Sequence, residues 1–417
     1  IDYVHSKGLT FGLYTSGGKT GCMPNRAGSR GHWQQDAQSF ADWGVDWVKM
    51  DWCGGSDVHG SYSNMSKALN ATGRPISLNM CEWGLQSPWE WGGNYAQSWR
   101  ITKDHAGTWE STKAAIKAMM NIPREHGGRP WGWNDMDMLQ TGNGPQSGYD
   151  PTPGYGPATL TEAEYVTEFS MWAIAGSPLL VTTPIMNCTM EEASADAAAK
   201  HAIFEAPCTV SLARQLSQTS CIVDDSFGCF GTQGNKTMWV DASRSGHGGD
   251  ADKGCRGIFI CDGVANVECN PQTPAGGNPR HVCPCSAPRP TPPNPPKGKC
   301  AGVLNDIQRK ILLNKEVIAI NQDDSSQGFP VVPGDSSIWA RNLSDGSVAV
   351  ALYNEDDEPK SIRVSFTAFG WSDTVAASIR DLWAHTNNGT AIGALPKALV
   401  DAHSTLVVRL TLMPLVV

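Results

Sequence analysis

Lys49 and Asp51 lie two residues apart in Trp47-Val48-Lys49-Met50-Asp51-Trp52-Cys53, a short stretch that reads as a strand. Side chains alternate along a strand, so this spacing puts the ammonium and the carboxylate on one face. A lysine beside a carboxylate keeps it ionised, as a carboxylate nucleophile requires. The spacing suits a plain salt bridge inside a sheet layer equally well and leaves both readings open. A carboxylate that displaces a sugar leaving group needs a second carboxyl about 5–5.5 Å away to protonate the departing oxygen. Glu82, Asp104, Asp135 and Asp137 are candidates, and spacing does not choose among them. Asp104 follows Arg100 by four residues, which also fits a local charge pair. Asp135 and Asp137 alternate in Trp133-Asn134-Asp135-Met136-Asp137-Met138-Leu139, so the expectation is that only one set of side chains faces the site. No Gly-x-Ser-x-Gly elbow, phosphate-cradling loop or Gly-x-Gly-x-x-Gly fingerprint occurs. His105, His126 and His201 lack metal-ligand spacing, so neither a metal nor a cofactor is expected.

These residues need elements to hold them. Candidate strands are Leu9–Tyr14, Trp47–Asp51, Pro75–Met80, Ser98–Ile101, Trp131–Asp135 and Leu179–Thr182. Helical spacing of apolar residues marks Trp33–Trp43, Ser111–Met120 and Thr161–Ala175 between them. Alternating strands and helices predict a parallel sheet. Polar residues at the strand C-termini predict a (β/α)8 barrel with its site on that face. Six strands are found and eight close a barrel, so two units are expected before residue 1.

From about residue 187 to 302 the composition turns to Cys, Gly and Pro, ending in a polyproline spacer over Pro288–Lys299. Helix is expected again at Leu304–Asn314 and Glu316–Asn321. The middle stretch reads as an insertion in the last barrel unit, or else as a linker between domains. Beyond residue 328, Ser347–Tyr353, Ser361–Phe366 and Thr405–Leu412 alternate like half-buried strands of a small antiparallel sandwich. The expected layout is a catalytic barrel from residues 1–186 and 303–327, a cysteine-rich insertion at 187–302 and a sandwich at 328–417.

Composition limits the partners. The chain has 417 residues, a net charge of −9 and 18% charged residues. A phosphate-binding surface wants a basic excess, so nucleic acid is not an expected partner. No run of about 20 apolar residues occurs, so no membrane span is expected. Sixteen Trp suit a hydroxyl-rich ligand whose C–H faces stack on indole, although core filling accounts for many of them. Ten of the 13 Cys lie from Cys188 to Cys300. Six sequons begin at Asn64, Asn70, Asn187, Asn235, Asn342 and Asn388. Together they point to an oxidising, secreted or lysosome-like compartment, with a signal peptide expected ahead of residue 1.

Several ordered motifs resemble one family. They are Gly12-Leu13-Tyr14, Val48-Lys49-Met50-Asp51-Trp52-Cys53, Cys81-Glu82-Trp83-Gly84-Leu85, Trp99-Arg100-x-x-x-Asp104 and Trp133 to Leu139. Gly142-Asn143-Gly144, Ser177-Pro178-Leu179-Leu180, Asn314 to Asp323 and Ile379-Arg380-Asp381-Leu382-Trp383 continue the series. The chain is similar in these to the α-galactosidases (melibiases) of glycoside hydrolase family 27, over about residues 1–186 and 303–413. The resemblance implies a retaining glycosidase acting on a galactose-terminated oligosaccharide or glycoconjugate. It gives Asp51 the role of nucleophile and Asp104 that of acid/base. Lys49, Glu82, Arg100 and Asp137 match residues that bond the sugar hydroxyls, and Tyr14 matches a pocket wall. Cys22 and Cys53 match a disulfide beside the nucleophile. Glu82 and Leu85 match the positions that fit a 2-hydroxyl, where relatives accepting N-acetylgalactosamine carry small residues.

The chain departs from the family in two places. The opening Gly-Trp-Asn-Ser-Trp stretch and the Asp-Asp-Cys-Trp motif, whose carboxylates grip the 4- and 6-hydroxyls, are absent. The absent stretch decides between galactosidase and β-L-arabinopyranosidase, and N-acetylgalactosaminidase and a catalytically inactive carbohydrate-binding protein are further alternatives. The cysteine-rich stretch is no standard family part. It weakly resembles a small β module, read as a disulfide-stapled decoration in preference to a glycan binder.

Overall fold

The computed structural model describes residues 1–22, 27–128, 132–143, 159–183 and 304–413, and the backbone of five short strands between 221 and 285. The chain divides into two compact units. One comprises Ile1–Gln34, Val45–Met186 and Gly302–Val417, and the other Gln35–Gly44 and Asn187–Ala301.

The first part alternates strands and helices. In order they are α1 (Asp2–His5), β1 (Gly12–Ser16), α2 (Trp33–Trp43), β2 (Trp47–Asp51), α3 (Val58–Ala71), β3 (Ser77–Cys81), α4 (Pro88–Trp91), β4 (Ser98–Arg100), α5 (Trp109–Met120), β5 (Trp133–Asp135) and α6 (Glu162–Ala175). The five strands pair in parallel in chain order. Val48, Met50, Leu78, Met80 and Trp99 are buried on one face of these strands, and Asn79, Cys81, Ser98 and Arg100 on the other. Burial on both faces is the usual state of a parallel sheet with helical crossovers.

Local chemistry explains the boundaries. β1 begins three residues later than Leu9, because the Leu9 N–H turns back to Val4 O and Gly8 takes a φ of 71°. α5 begins at Trp109, two residues before the expected start, because Thr108 accepts from the Ser111 N–H. Thr161 and Glu164 form a reciprocal capping box at the start of α6, and Gly176 closes it in the left-handed region. Leu179–Thr182 is not a sixth strand. Val181 makes only an isolated parallel bridge to Leu139, and the Thr182 and Thr183 hydroxyls bond backbone carbonyls at Leu139 and Thr141 instead of extending a ladder.

Between these parts, β6 (Cys221–Asp224), β7 (Gly228–Gln233) and β8 (Lys236–Asp241) form an antiparallel sheet, and β9 (Ala265–Asn266) pairs with β10 (Pro284–Cys285). The Pro288–Lys299 spacer lies outside the described residues, as does the pairing of the cysteines in this stretch.

The chain resumes with α7 (Asp306–Leu312) and α8 (Lys315–Asn321). α7 is shorter than expected because Asn314 leaves it to cap α8, accepting from Glu316 and Val317 N–H groups. The last part holds β11 (Phe329–Val332), β12 (Asp335–Asn342), β13 (Val348–Tyr353), β14 (Lys360–Ile362), β15 (Ala376–Asp381), β16 (Thr386–Ile392), β17 (Ala398–Val400) and β18 (Thr405–Leu412). Six strands form a sheet in the order β11-β12-β13-β18-β15-β16, and β14 pairs with β17. Ser361–Phe366 is therefore only a short strand, since Phe366 opens a 3-10 turn to Phe369.

β13 corrects the expectation of a half-buried strand, because all six of its residues are buried. Val348, Val350 and Leu352 join the sandwich core. On the alternate face, the Tyr353 ring packs edge-on against Trp109 of α5, with centroids 6.2 Å apart. Two different partners cover the two faces, so the solvent-facing half of the pattern vanishes.

Candidate active site

The parallel register stacks the side chains at one end of the first sheet. Ser16 pairs with Asp51, Asp51 with Cys81, and Arg100 with Asp135. One layer below, Tyr14 pairs with Lys49, Lys49 with Asn79, and Asn79 with Ser98. In-register residues of a sheet point to the same side, so the two layers share a face.

Asp51 ends β2 and is 8% exposed. Its Oδ2 accepts the Tyr14 hydroxyl at 2.6 Å, and its Oδ1 faces Lys49 Nζ at 3.5 Å. The strand period thus pairs Lys49 with Asp51 as the spacing requires. Among the described residues Oδ1 has no hydrogen-bond donor, so one oxygen is held and the other is left for a reacting partner. Burial and then Asp51 push the Tyr14 hydroxyl far above its ordinary value, so it stays a donor. Burial alone would depress the Lys49 ammonium, but its acidic surroundings, including Asp51, outweigh burial and raise it. Cys22 and Cys53 form a disulfide, with the Cys22 sulfur 3.3 Å from Asp51 Oδ2.

Arg100 ends β4 and organises a second group. Its Nη2 lies 2.7 Å from Asp137 Oδ2 and 3.1 Å from Asp104 Oδ1. Its Nη1 is 3.7 Å from the buried thiol of Cys81, the residue in register with Asp51. Asp137 is enclosed while the Asp104 side chain is 44% exposed. Burial pushes the Asp137 carboxyl up, and Arg100 opposes it. Asp135 and Asp137 both serve this region, which corrects the expectation that one excludes the other. β5 stops at Asp135, and Asp137 then takes a φ of 84°. Asp135 Oδ1 accepts the Asp137 N–H at 2.8 Å, and Asp135 Oδ2 accepts Asn79 Nδ2 at 2.9 Å.

Glu82 follows β3 in a loop with Trp83 and Gly84 at positive φ. A Cβ at Gly84 would sit 2.1 Å from Ile101 O, so this turn requires glycine. Glu82 Oε2 accepts the Gln86 N–H at 2.9 Å, and Oε1 is buried with no partner among the described residues. Burial pushes this carboxyl up to about 7. Leu85 is 62% exposed at the edge of the same loop. Its N–H donates to Glu82 O at 3.3 Å.

Sequence reasoning missed Asn79, which bridges Ser98 and Asp135 through Nδ2. Its period-2 spacing from Cys81 on β3 was a usable signal. It also missed any role for His105 and for Glu168, whose fully enclosed side chains lie 3.6 Å apart under the Asp137 segment. No local pattern joins residues 63 positions apart, so nothing in the sequence marked them as a pair.

The arrangement offers a half-anchored carboxylate, a second carboxyl at the rim and a row of donors between them. Comparison with known proteins bears on what it does. The sequence matches a family described as alpha galactosidase A over residues 1–203, and one described as the alpha galactosidase C-terminal beta sandwich domain over residues 333–410. An alpha-galactosidase of Cyamopsis tetragonoloba is 28% identical over 407 residues, covering 97% of this chain and 67% of its own length. A solved chain from Bacteroides fragilis superposes with a TM-score of 0.63 at 22% identity, over 98% of this chain and 64% of that one. A β-L-arabinopyranosidase of Geobacillus stearothermophilus superposes with a TM-score of 0.61 at 16% identity, over 100% of this chain and 76% of that one. The chain therefore spans about two thirds of the length of the relatives that it matches first.

Proposed function

The chain belongs to the melibiase family of glycoside hydrolases, and from that membership and the site's geometry we propose that it is a retaining α-galactosidase releasing terminal non-reducing α-D-galactose. The observation that carries the reading is Asp51 at the C-terminal end of β2, with one oxygen anchored by Tyr14 and the other facing Lys49.

The reaction runs by double displacement. An Asp51 oxygen attacks the anomeric carbon while the carbon–oxygen bond to the leaving group breaks. Asp104 gives its proton to that oxygen. A covalent galactosyl-Asp51 ester results. Asp104, now a carboxylate, takes a proton from water, whose oxygen attacks the same carbon and frees Asp51. Lys49, Arg100 and Asp137 bind sugar hydroxyls, and Tyr14 forms one wall. Glu82 and Leu85 border the 2-hydroxyl, at the positions where relatives accepting N-acetylgalactosamine carry small residues.

We take residues 187–302 as an insertion and a disulfide-stapled decoration. An oxidising compartment is supported by the Cys22–Cys53 disulfide and by the exposure of the described sequon residues Asn64, Asn70, Asn342 and Asn388. No helix among the described residues is long and apolar enough to cross a membrane.

The test is nitrophenol release from a nitrophenyl α-galactoside by the unsubstituted chain and by Asp51→Asn. The substitution is expected to reduce release to background, and equal rates would remove Asp51 from the mechanism. Aryl α-N-acetylgalactosaminide and β-L-arabinopyranoside run alongside, and faster turnover of either replaces galactose as the substrate sugar.

A further inference from the structure

Asp104 sits at the rim of the site on a stretch without regular secondary structure, held there through its side chain by Arg100. An acid/base group must meet the leaving oxygen at a defined angle and distance. The backbone beside it is tied down at the next residue, His105.

Every polar group of His105 is engaged. Its backbone N–H donates to Asp137 Oδ2 at 2.7 Å, and its carbonyl accepts Gln140 Nε2 at 2.8 Å. Its ring places Nδ1 2.9 Å from Met138 O and Nε2 3.1 Å from the Thr112 hydroxyl of α5. A carbonyl only accepts, so Nδ1 carries a proton. The indole of Trp172 covers the ring, with centroids 5.0 Å apart. Trp172 Nε1 in turn donates to Asp137 O at 2.7 Å.

Glu168 of α6 lies behind this knot, fully buried. It accepts from the Gln140 N–H at 2.7 Å and the Thr141 hydroxyl at 2.6 Å. Beside it among the described residues lies the His105 ring, with Nδ1 at 3.6 Å. A buried carboxylate is costly unless it is bonded and paired. Glu168 is bonded to the segment that grips His105 and sits beside the ring itself. The pair therefore joins three pieces of chain: the Asp104–His105 stretch, the Asp137–Thr141 stretch and α6.

We infer that His105 and Glu168 are positioning residues for the acid/base carboxyl, holding the chain at Asp104 so that its proton is aimed at the leaving oxygen. The inference rests on the reading of Asp104 as that acid/base.

Leaving-group dependence tests it. A poor leaving group such as a sugar alcohol needs protonation, whereas dinitrophenolate departs without it. A merely structural defect lowers both rates alike. The ratio of kcat/KM on an α-galactosyl disaccharide to that on dinitrophenyl α-galactoside is measured for the unsubstituted chain, Asp104→Asn, His105→Leu and Glu168→Gln. Asp104→Asn is expected to lower the ratio by about 10²–10⁴-fold, the usual worth of general acid catalysis. The other two are expected to lower it by about 10–100-fold, as a small misplacement of a catalytic group does. Glu168→Gln is isosteric and keeps an acceptor, so it tests the pair if His105→Leu does not fold. An unchanged ratio in the folded variants, with a lowered ratio in Asp104→Asn, overturns the positioning role alone. An unchanged ratio in Asp104→Asn, or no turnover by the unsubstituted chain, overturns it together with the proposed mechanism.

Discussion

The Tyr14 hydroxyl donates to Asp51 Oδ2 at 2.6 Å across the edge pair of the parallel sheet, from one layer below the carboxylate. The bond leaves Oδ1 as the oxygen without a hydrogen-bond donor among the described residues. Orientation of the Asp51 carboxylate is thus set by a neutral donor as well as by Lys49.

Tyr14→Phe removes this bond and keeps the ring. A hydrogen bond to a charged acceptor is worth about 1.5–3 kcal/mol. Loss of that orientation is expected to lower kcat/KM on an aryl α-galactoside by about 10–100-fold. The Tyr14 side chain is half exposed, so circular dichroism and melting behaviour are expected to stay unchanged. A rate equal to that of the unsubstituted chain would show that the bond is incidental.

Glu82 makes stability depend on pH. Burial raises its carboxyl from an ordinary 4.5 to about 7 in the folded chain. The folded state therefore holds the proton more tightly than the unfolded state. That contribution is complete below about 4.5 and is lost as pH rises through about 7. Melting temperatures across this range are expected to fall with rising pH, and to fall less steeply in Glu82→Gln. Parallel curves for the two proteins would refute the assignment.

Arg341 ties β12 of the sandwich to the C-terminal ends of α6 and α8. It is 1% exposed. Its Nη1 donates to Ala173 O at 3.3 Å near the end of α6 and to Asn321 O at 3.4 Å at the end of α8. Its Nη2 reaches Asp323 O at 3.0 Å and Ser325 O at 3.2 Å. A cation is favoured at helix C-termini, where carbonyls lack intrahelical partners. Burial lowers its pKa only to about 10, so it stays charged at neutral pH. Arg341→Leu leaves these carbonyls buried and unpaired, at about 1–3 kcal/mol for each group. A loss of at least about 2 kcal/mol is expected from urea midpoints. A loss below 0.5 kcal/mol, roughly the range of ordinary surface changes, would mean that the clasp is redundant.

Much of this is local and so readable along the chain. A period of two puts Lys49 beside Asp51. Thr161 with Glu164 announces α6, and Gly176 ends it. The ordered motifs at Asp51, Glu82, Arg100 and Asp137 lead to one end of one sheet. Where the reading slipped, a long-range partner intervened. Thr182 and Thr183 spend their hydroxyls on the backbone at Leu139 and Thr141, so a strand shrinks to a bridge. β13 is enclosed on both faces because Trp109 meets the side that a free sandwich would leave to water.

The sequence by itself determined which residues share a strand face, that helices lie near Trp33–Trp43, Ser111–Met120 and Thr161–Ala175, and which family the chain resembles, since each follows from neighbours a few positions apart or from ordered motifs. Tertiary structure alone decided that Asp135 and Asp137 serve the same region, that Cys81 lies beside Arg100, and that Glu168 sits against His105. Those contacts depend on how βα units stack and where the backbone turns at Asp137. No spacing rule spans the distance between α6 and the segment after β4.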